Sequence, residues 1–120
     1  AGNAEDLAAR IRANQAACLK DNNVDSNLLA KAKKGTIDES NPVLLSYLLC
    51  FIKKSGYIND AVELQEDEIT DKLLLQKPDK AEVDRVVKLC DATANPGDNG
   101  LFIARVLTCY YKNVPGVIIL

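Results

Sequence analysis

Residues 41–56 read NPVLLSYLLCFIKKSG and form the longest strongly apolar stretch of the chain. Asn41 is a suitable N-cap, Pro42 fits the first helical position because its missing N–H is not needed there, and Gly56 follows a basic end. Between these ends Ser46 is the one polar residue of an otherwise apolar run. The pattern predicts a helix that is apolar on nearly every side and is therefore covered by other helices on several sides. At roughly ten apolar positions it is too short to span a bilayer.

Two helices are predicted before this central one. The first runs from Ala4 to about Asp21, because its residues are good helix formers and its apolar residues recur at intervals of four and seven. The second starts at Asp25 or Ser26 and stops before Gly35.

Three helices are predicted after the central one. A short helix follows the acidic residues 63–68 and ends before Pro78, and Asp79 caps the next helix. Residues 95–100, NPGDNG, are a loop that leads into a last helix. Only the short segment 57–64 and the chain end suggest strand, so the sequence predicts one all-α domain of six helices over residues 1–120. The residues expected on inward faces of the flanking helices are Leu7, Ile11, Cys18, Ile69, Leu73, Val83, Val86, Val87, Cys90, Phe102, Val106, Cys109 and Tyr110.

Composition and charge exclude several classes of function. The 120 residues carry a net charge of -2 with acidic and basic side chains mixed, and no run of five like charges occurs. Neither nucleic acid nor stable membrane insertion is therefore expected. Histidine is absent, which removes the usual general base and the usual imidazole metal ligand. We expect no enzymatic activity, no metal site and no cofactor.

The four cysteines, Cys18, Cys50, Cys90 and Cys109, are dispersed at about one per predicted helix and form no CxxC pair. An even, dispersed set in a small chain is typical of two disulfides in a secreted protein. The alternative is four buried free thiols in a cytosolic helical protein. Three disulfide pairings are possible in principle, and spacing alone does not choose between them. The chain opens AGNAED without an apolar targeting segment, as expected of a mature secreted form.

The last four residues, Val117 to Leu120, are bulky and apolar and must dock somewhere. They are either a plug that completes the core or a flap over a cavity, and the sequence leaves both open. On the second reading Ile118 and Leu120 would contact a bound ligand.

The order of these helices and cysteines resembles the insect odorant-binding proteins. That family has six cysteines, and the two positions that correspond to its second and fifth are Ser46 and Gly100 in this chain. Since those two pair with each other in the family, the chain is similar to the four-cysteine "Minus-C" subclass. The resemblance implies the bridges Cys18–Cys50 and Cys90–Cys109. It also implies that the central and last helices, which lack the third bridge, move apart more freely.

The resemblance further implies a secreted carrier whose helices enclose an apolar cavity for a small hydrophobic ligand. An olfactory receptor is a candidate partner, and the chain is expected to be a monomer or a weak homodimer. The hydroxyl of Tyr47, Tyr57 or Tyr110, above all that of Tyr110, is expected to bind a polar group of the ligand. Pocket positions carried over from the family are Ile11, Leu48, Ile52, Val87, Val106 and Tyr110, and helical neighbours on the same faces are Leu45, Leu73, Leu74, Val83 and Ile103.

One alternative keeps the same fold. A haemolymph, salivary or venom protein could use these helices as a lipid carrier or as a protein-interaction module. An interaction module would carry a large exposed apolar patch instead of an enclosed cavity.

Overall fold

Six helices form within residues 4–93 and 97–117, the part of the chain that this computed structural model describes. All six helices predicted from the sequence are present, and they lie close to the predicted bounds. The predicted loop over 95–100 extends two residues too far, because the last helix already begins at Asn99. The helices are α1 (Ala4–Asp21), α2 (Ser26–Lys33), α3 (Pro42–Lys54), α4 (Glu66–Gln76), α5 (Lys80–Asp91) and α6 (Asn99–Asn113).

Side-chain caps fix where most of these helices begin. The Asn41 side chain accepts a hydrogen bond from the backbone N–H of Leu44 at 2.9 Å, as its position before Pro42 predicts. Asp79 accepts in the same way from the N–H of Glu82 at 3.1 Å. Helix α4 differs, because its N-cap residue Gln65 makes no side-chain cap bond.

Helix α3 lies at the centre and packs most extensively on α6 and next on α1. Tyr47, Leu48 and Phe51 are completely buried on this helix. The prediction that other helices cover α3 on several sides is confirmed, although Val43 is 44% exposed and Ser46 also faces solvent. One narrow face of the central helix therefore remains in water.

Two disulfides join the helices in pairs. Cys18–Cys50 links α1 to α3, and Cys90–Cys109 links α5 to α6. This is the pairing that the family resemblance implied, and it is confirmed. All four cysteines are paired, so the alternative of buried free thiols is wrong.

Helices α3 and α6 also meet at a glycine. A methyl group built on Gly100 would lie 2.9 Å from the Cβ of Leu45, closer than side chains tolerate. The two helices that lack the family's third bridge therefore approach each other as closely as their backbones allow. This contact does not support the expectation that they separate easily.

A turn connects α3 to α4 over residues 57–65. An isolated antiparallel bridge pairs Ile58 with Leu64. Within the turn the Asn59 side-chain oxygen accepts hydrogen bonds from the N–H groups of Ala61 and Glu63, both at 3.0 Å. Val62 has a φ of 60°, an unusual conformation for a β-branched residue. The turn is thus held by local hydrogen bonds around a strained residue.

After α6 the chain returns to the core. Val114 is completely buried and Val117 packs against the core in a partly buried position. Ile118 and Leu120, for which a ligand contact was predicted, lie outside the described residues. None of the helices over residues 4–93 and 97–117 is long and apolar enough to cross a membrane.

Candidate functional site

An apolar cavity lies between α6 and the segment that runs from the turn into α4. One wall consists of α6 residues together with Ile52 from the end of α3, and the other consists of Tyr57, Leu64 and one face of α4. The walls are held by tertiary contacts of elements far apart in the sequence. The residues that line the cavity are Ile52, Tyr57, Leu64, Ile69, Lys72, Leu73, Gln76, Ile103, Val106, Leu107 and Tyr110.

The cavity is narrow in this conformation. The space between the walls that is open to the centre of a water molecule measures about 30 Å³. This is far below the roughly 300–1,000 Å³ that is usual for small-molecule sites. The walls must therefore separate before a ligand larger than a few atoms is enclosed.

Tyr110 lines this cavity and has a buried hydroxyl. The residue is only 4% exposed, and within the described chain its hydroxyl is buried without a hydrogen-bond partner. Burial raises the pKa of Tyr110, and the carboxylates of Asp91 and Glu66 raise it further. The phenol therefore stays neutral and keeps a proton that it can donate.

Tyr57 stands at the edge of the cavity. Burial raises the pKa of its phenol to about 12, and the nearby charges of Arg10 and Glu68 have smaller, opposing effects. Its side chain borders the apolar cavity on one side and a more polar groove on the other. Tyr57 is therefore part of the wall that divides the two spaces.

Lys72 is the second residue in this dividing wall. Its side chain is 16% exposed, and its ammonium group pairs with the Glu68 carboxylate at 2.9 Å. The methylene stem of a lysine can cover apolar surface while the charge stays near solvent. Lys72 thus borders the cavity, and its charge is already compensated.

The groove on the far side of this wall is built by α1, the end of α3 and the first turns of α4. It contains exposed charges from Arg10, Lys54 and Glu68. Asn14 donates a hydrogen bond to the hydroxyl of Ser55 at 3.3 Å across it. The groove is wider and more polar than the cavity, so the two differ in what they can bind.

The structure brings five of the predicted ligand-binding residues together and leaves the others elsewhere. Ile11 lines the polar groove, and Leu45 faces Gly100 in the contact between α3 and α6. Leu48, Val83 and Val87 are buried in the core and do not line the cavity. Contact of any of these residues with a ligand remains a prediction. The five that line the cavity are Ile52, Leu73, Ile103, Val106 and Tyr110.

Several lining residues were not predicted, although some carry a signal. Ile69, Lys72 and Gln76 lie on one face of α4 together with the predicted Leu73, since the four residues follow the spacing i, i+3, i+4 and i+7. Because Lys72 and Gln76 are polar, the sequence does not show this face as an apolar repeat. Leu64 and Leu107 are the other residues that sequence reasoning missed, whereas Tyr57 was one of the tyrosines expected to offer a hydroxyl.

Within residues 4–93 and 97–117 no group of three or more histidine, cysteine or carboxylate side chains is placed to hold a metal ion. The polar groups that border the cavity are two phenols, an ion-paired lysine and Gln76. Such a set can orient a ligand through hydrogen bonds.

Comparison with known proteins agrees with this geometry. A model of the PBP/GOBP family matches residues 1–113. The B1 protein of Tenebrio molitor is 28% identical over 105 residues, which cover 88% of this chain and 78% of the relative. The B2 protein of the same beetle is also 28% identical over 105 residues, which cover 88% of this chain and 80% of the relative.

Proposed function

This chain belongs to the PBP/GOBP family, the pheromone-binding and general odorant-binding proteins, and from that premise we propose that it is a secreted carrier. It binds one small hydrophobic molecule reversibly and performs no chemistry on it. The observation that carries this proposal is the apolar cavity between α6 and α4. The two disulfides support secretion, since such bridges persist in oxidising compartments.

Binding in this cavity is driven by removal of apolar surface from water. Each Å² contributes roughly 25 cal/mol, and the cost of ordering the ligand and the moving wall is set against it. An aliphatic wall distinguishes ligands that differ by one methylene by only about 1–3 kcal/mol. We therefore expect micromolar affinity and broad selectivity among molecules of similar length.

Displacement of the fluorescent probe N-phenyl-1-naphthylamine from the oxidised protein tests the proposal. We expect saturable uptake of one probe per chain and displacement by several medium-chain alcohols, aldehydes and esters. A ligand that binds only the folded state also raises the midpoint of thermal unfolding, which gives a second readout that does not depend on the probe.

Two variants locate the site. Leu73→Phe adds volume at the cavity wall and should reduce probe uptake, because little free space remains there. Leu89→Phe is the matched control, since Leu89 is 44% exposed on α5 and does not line the cavity. Absence of uptake by the folded, doubly bridged protein would refute the carrier function and favour an interaction module of the same fold.

A further inference from the structure

Lys72 is the one lysine that borders the apolar cavity in the described part of the chain. Its side chain is only 16% exposed, whereas those of Lys53 and Lys80 are 52% and 69% exposed. A lysine on a helix surface normally keeps its ammonium group in water. The Lys72 side chain is instead largely covered, so a primary amine is held at the edge of an apolar space.

The ion pair gives this amine a proton acceptor. The Nζ of Lys72 lies 2.9 Å from the Oε2 of Glu68, which is the separation expected of a nucleophile and its base. Both residues belong to α4, one turn apart, so the helix itself holds the pair together. Lys72 lines the cavity and the polar groove, whereas Glu68 lines the groove and not the cavity. The amine therefore has apolar surface on one side and a carboxylate on the other.

This arrangement suits imine formation with an aldehyde. Lys72 passes a proton to Glu68, its nitrogen lone pair forms a bond to the carbonyl carbon, and the carbonyl oxygen takes the π electrons and a proton from the nitrogen. Glu68 then returns its proton to the new hydroxyl, which leaves as water while the nitrogen lone pair forms the C=N bond. The product is a protonated imine beside the Glu68 carboxylate, so charge is conserved. The groove, in which about 300 Å³ is open to the centre of a water molecule, gives the released water an exit.

We propose that Lys72 captures aldehydes covalently and reversibly as a protonated imine, with the alkyl chain of the aldehyde in the apolar cavity. Binding of the chain holds the carbonyl beside the amine, which raises its effective concentration far above that at a lysine without a binding site. Hydrolysis releases the aldehyde unchanged, so the capture is storage and not turnover. The inference rests on the proposed carrier function and adds a covalent bond for one class of ligand. Alcohols and esters of the same length bind without that bond.

Reductive trapping tests the capture. The oxidised wild type is incubated with decanal and sodium cyanoborohydride, which reduces an imine to a stable secondary amine, and peptide mass spectrometry locates the decyl groups. We expect at least about tenfold more modification at Lys72 than at any other lysine. Labelling that follows exposure would instead favour Lys80. Methyl decanoate, which competes for the cavity and forms no imine, should suppress modification at Lys72 and leave the other lysines unaffected.

Lys72→Arg and Lys80→Arg form a matched pair of variants. Lys80 pairs with Asp84 one turn away at 2.9 Å, as Lys72 does with Glu68, but it does not line the cavity. Arginine keeps the positive charge and does not lose its proton in proteins, so it forms no imine here. Lys72→Arg should abolish the dominant adduct and weaken displacement of N-phenyl-1-naphthylamine by decanal about tenfold, with decanol unchanged. Lys80→Arg should change neither, and circular dichroism melting verifies that both variants are folded.

Failure of the capture and failure of the carrier function give different results. If decanal displaces the probe but its adducts follow lysine exposure, with Lys72 among the least modified, the capture is refuted and the carrier function stands. If Lys72→Arg weakens decanal and decanol equally, Lys72 only shapes the cavity and the capture is again refuted. If neither the probe nor decanal binds, the carrier function and the capture fail together.

Discussion

The two walls of the cavity are built in different ways. The α6 wall, formed by Ile103, Val106 and Leu107, belongs to a helix that is linked to α5 by a disulfide and packs closely on α3. The opposite wall belongs to residues 57–76, here called the α4 segment, which contains no cysteine. Helix α4 buries only Ile69 and Leu73, and it begins without a side-chain cap. One wall is therefore held firmly and the other by fewer restraints.

This difference indicates how a nearly filled cavity accepts a ligand. Since only about 30 Å³ is open to the centre of a water molecule, one wall has to move. Segments with few buried contacts open at lower free energy than the core does. We expect the α4 segment to move outward while α3 and α6 keep their positions.

The largest expected effect is a loss of stability when a side chain is removed from the core behind the α6 wall. The same change in the α4 segment should cost less. Leu48→Ala removes a completely buried side chain of α3 and should lower the free energy of unfolding by about 3–5 kcal/mol. Leu73→Ala should lower it by about 2 kcal/mol, because Leu73 faces space that is already partly empty. Urea denaturation measures both changes.

Ligand binding should respond in the opposite order. Leu73→Ala enlarges the cavity and should shift the preference for chain length, whereas Leu48→Ala should leave it unchanged. Equal losses of stability in the two variants, with equal shifts in preference, would contradict the distinction between core and cavity wall.

The contact between α3 and α6 gives the next effect. Alanine normally stabilises an exposed helical position relative to glycine by about 1 kcal/mol. At Gly100 the added methyl group would lie 2.9 Å from the Leu45 Cβ, so we expect Gly100→Ala to destabilise the protein by about 1–3 kcal/mol. Thermal unfolding measures the change.

Gly97→Ala is the control, because no atom lies within 4 Å of the added group. A stable Gly100→Ala variant would mean that the two helices separate readily.

Helices α3 and α6 were the part of the fold that the sequence predicted best. The bounds of α3 are signalled by Asn41 and Pro42, whose roles at a helix start follow from their chemistry. Helical spacing correctly placed Phe102, Val106 and Tyr110 on an inward face.

The cavity itself was harder to predict. Periodicity marks a side chain as inward but does not distinguish a packed core from a cavity wall. Leu48, Val83 and Val87 were expected at the pocket from the family resemblance; they are buried in the core of this conformation, and their contact with a ligand remains a prediction. Leu64 was missed, and Tyr57 was named only as a hydroxyl donor and not as a cavity wall, for another reason. Their positions depend on a turn fixed by side-chain to backbone hydrogen bonds, which no repeating pattern signals.

That turn provides a test of the less restrained wall. Asn59→Ala removes two acceptor bonds to the backbone and one donor bond to the Glu63 carboxylate at 2.9 Å. These bonds are exposed, so we expect a loss of about 1 kcal/mol in the free energy of unfolding. Amide hydrogen exchange should accelerate in the α4 segment and stay unchanged in α3.

Asn23→Ala, at an exposed position before α2, is the control. Uniform acceleration along the chain would show that the turn and the core open together.

The smallest effect concerns the attachment of α4 to α5. The Asp91 carboxyl raises the pKa of Glu66 above its usual 4.5, through a hydrogen bond that holds a proton and through charge repulsion. A carboxyl group with a raised pKa in the folded state stabilises the fold at low pH, and that contribution is lost as the pH rises through the raised pKa. Glu66→Gln should therefore stabilise the protein at neutral pH, by roughly a few tenths of a kcal/mol because solvent screens this exposed pair.

Asp67→Asn is the matched control for that variant, since both residues lie in the first turn of α4 and favour the helix dipole there. The difference between the two variants isolates the repulsion between Glu66 and Asp91. Urea denaturation across a pH series should show this difference above the usual pKa of 4.5 and not below it. Added salt should reduce it. If the difference in stability persists at low pH, the introduced glutamine forms a new stabilising hydrogen bond. Repulsion between Glu66 and Asp91 would then not weaken the packing of α4 on α5.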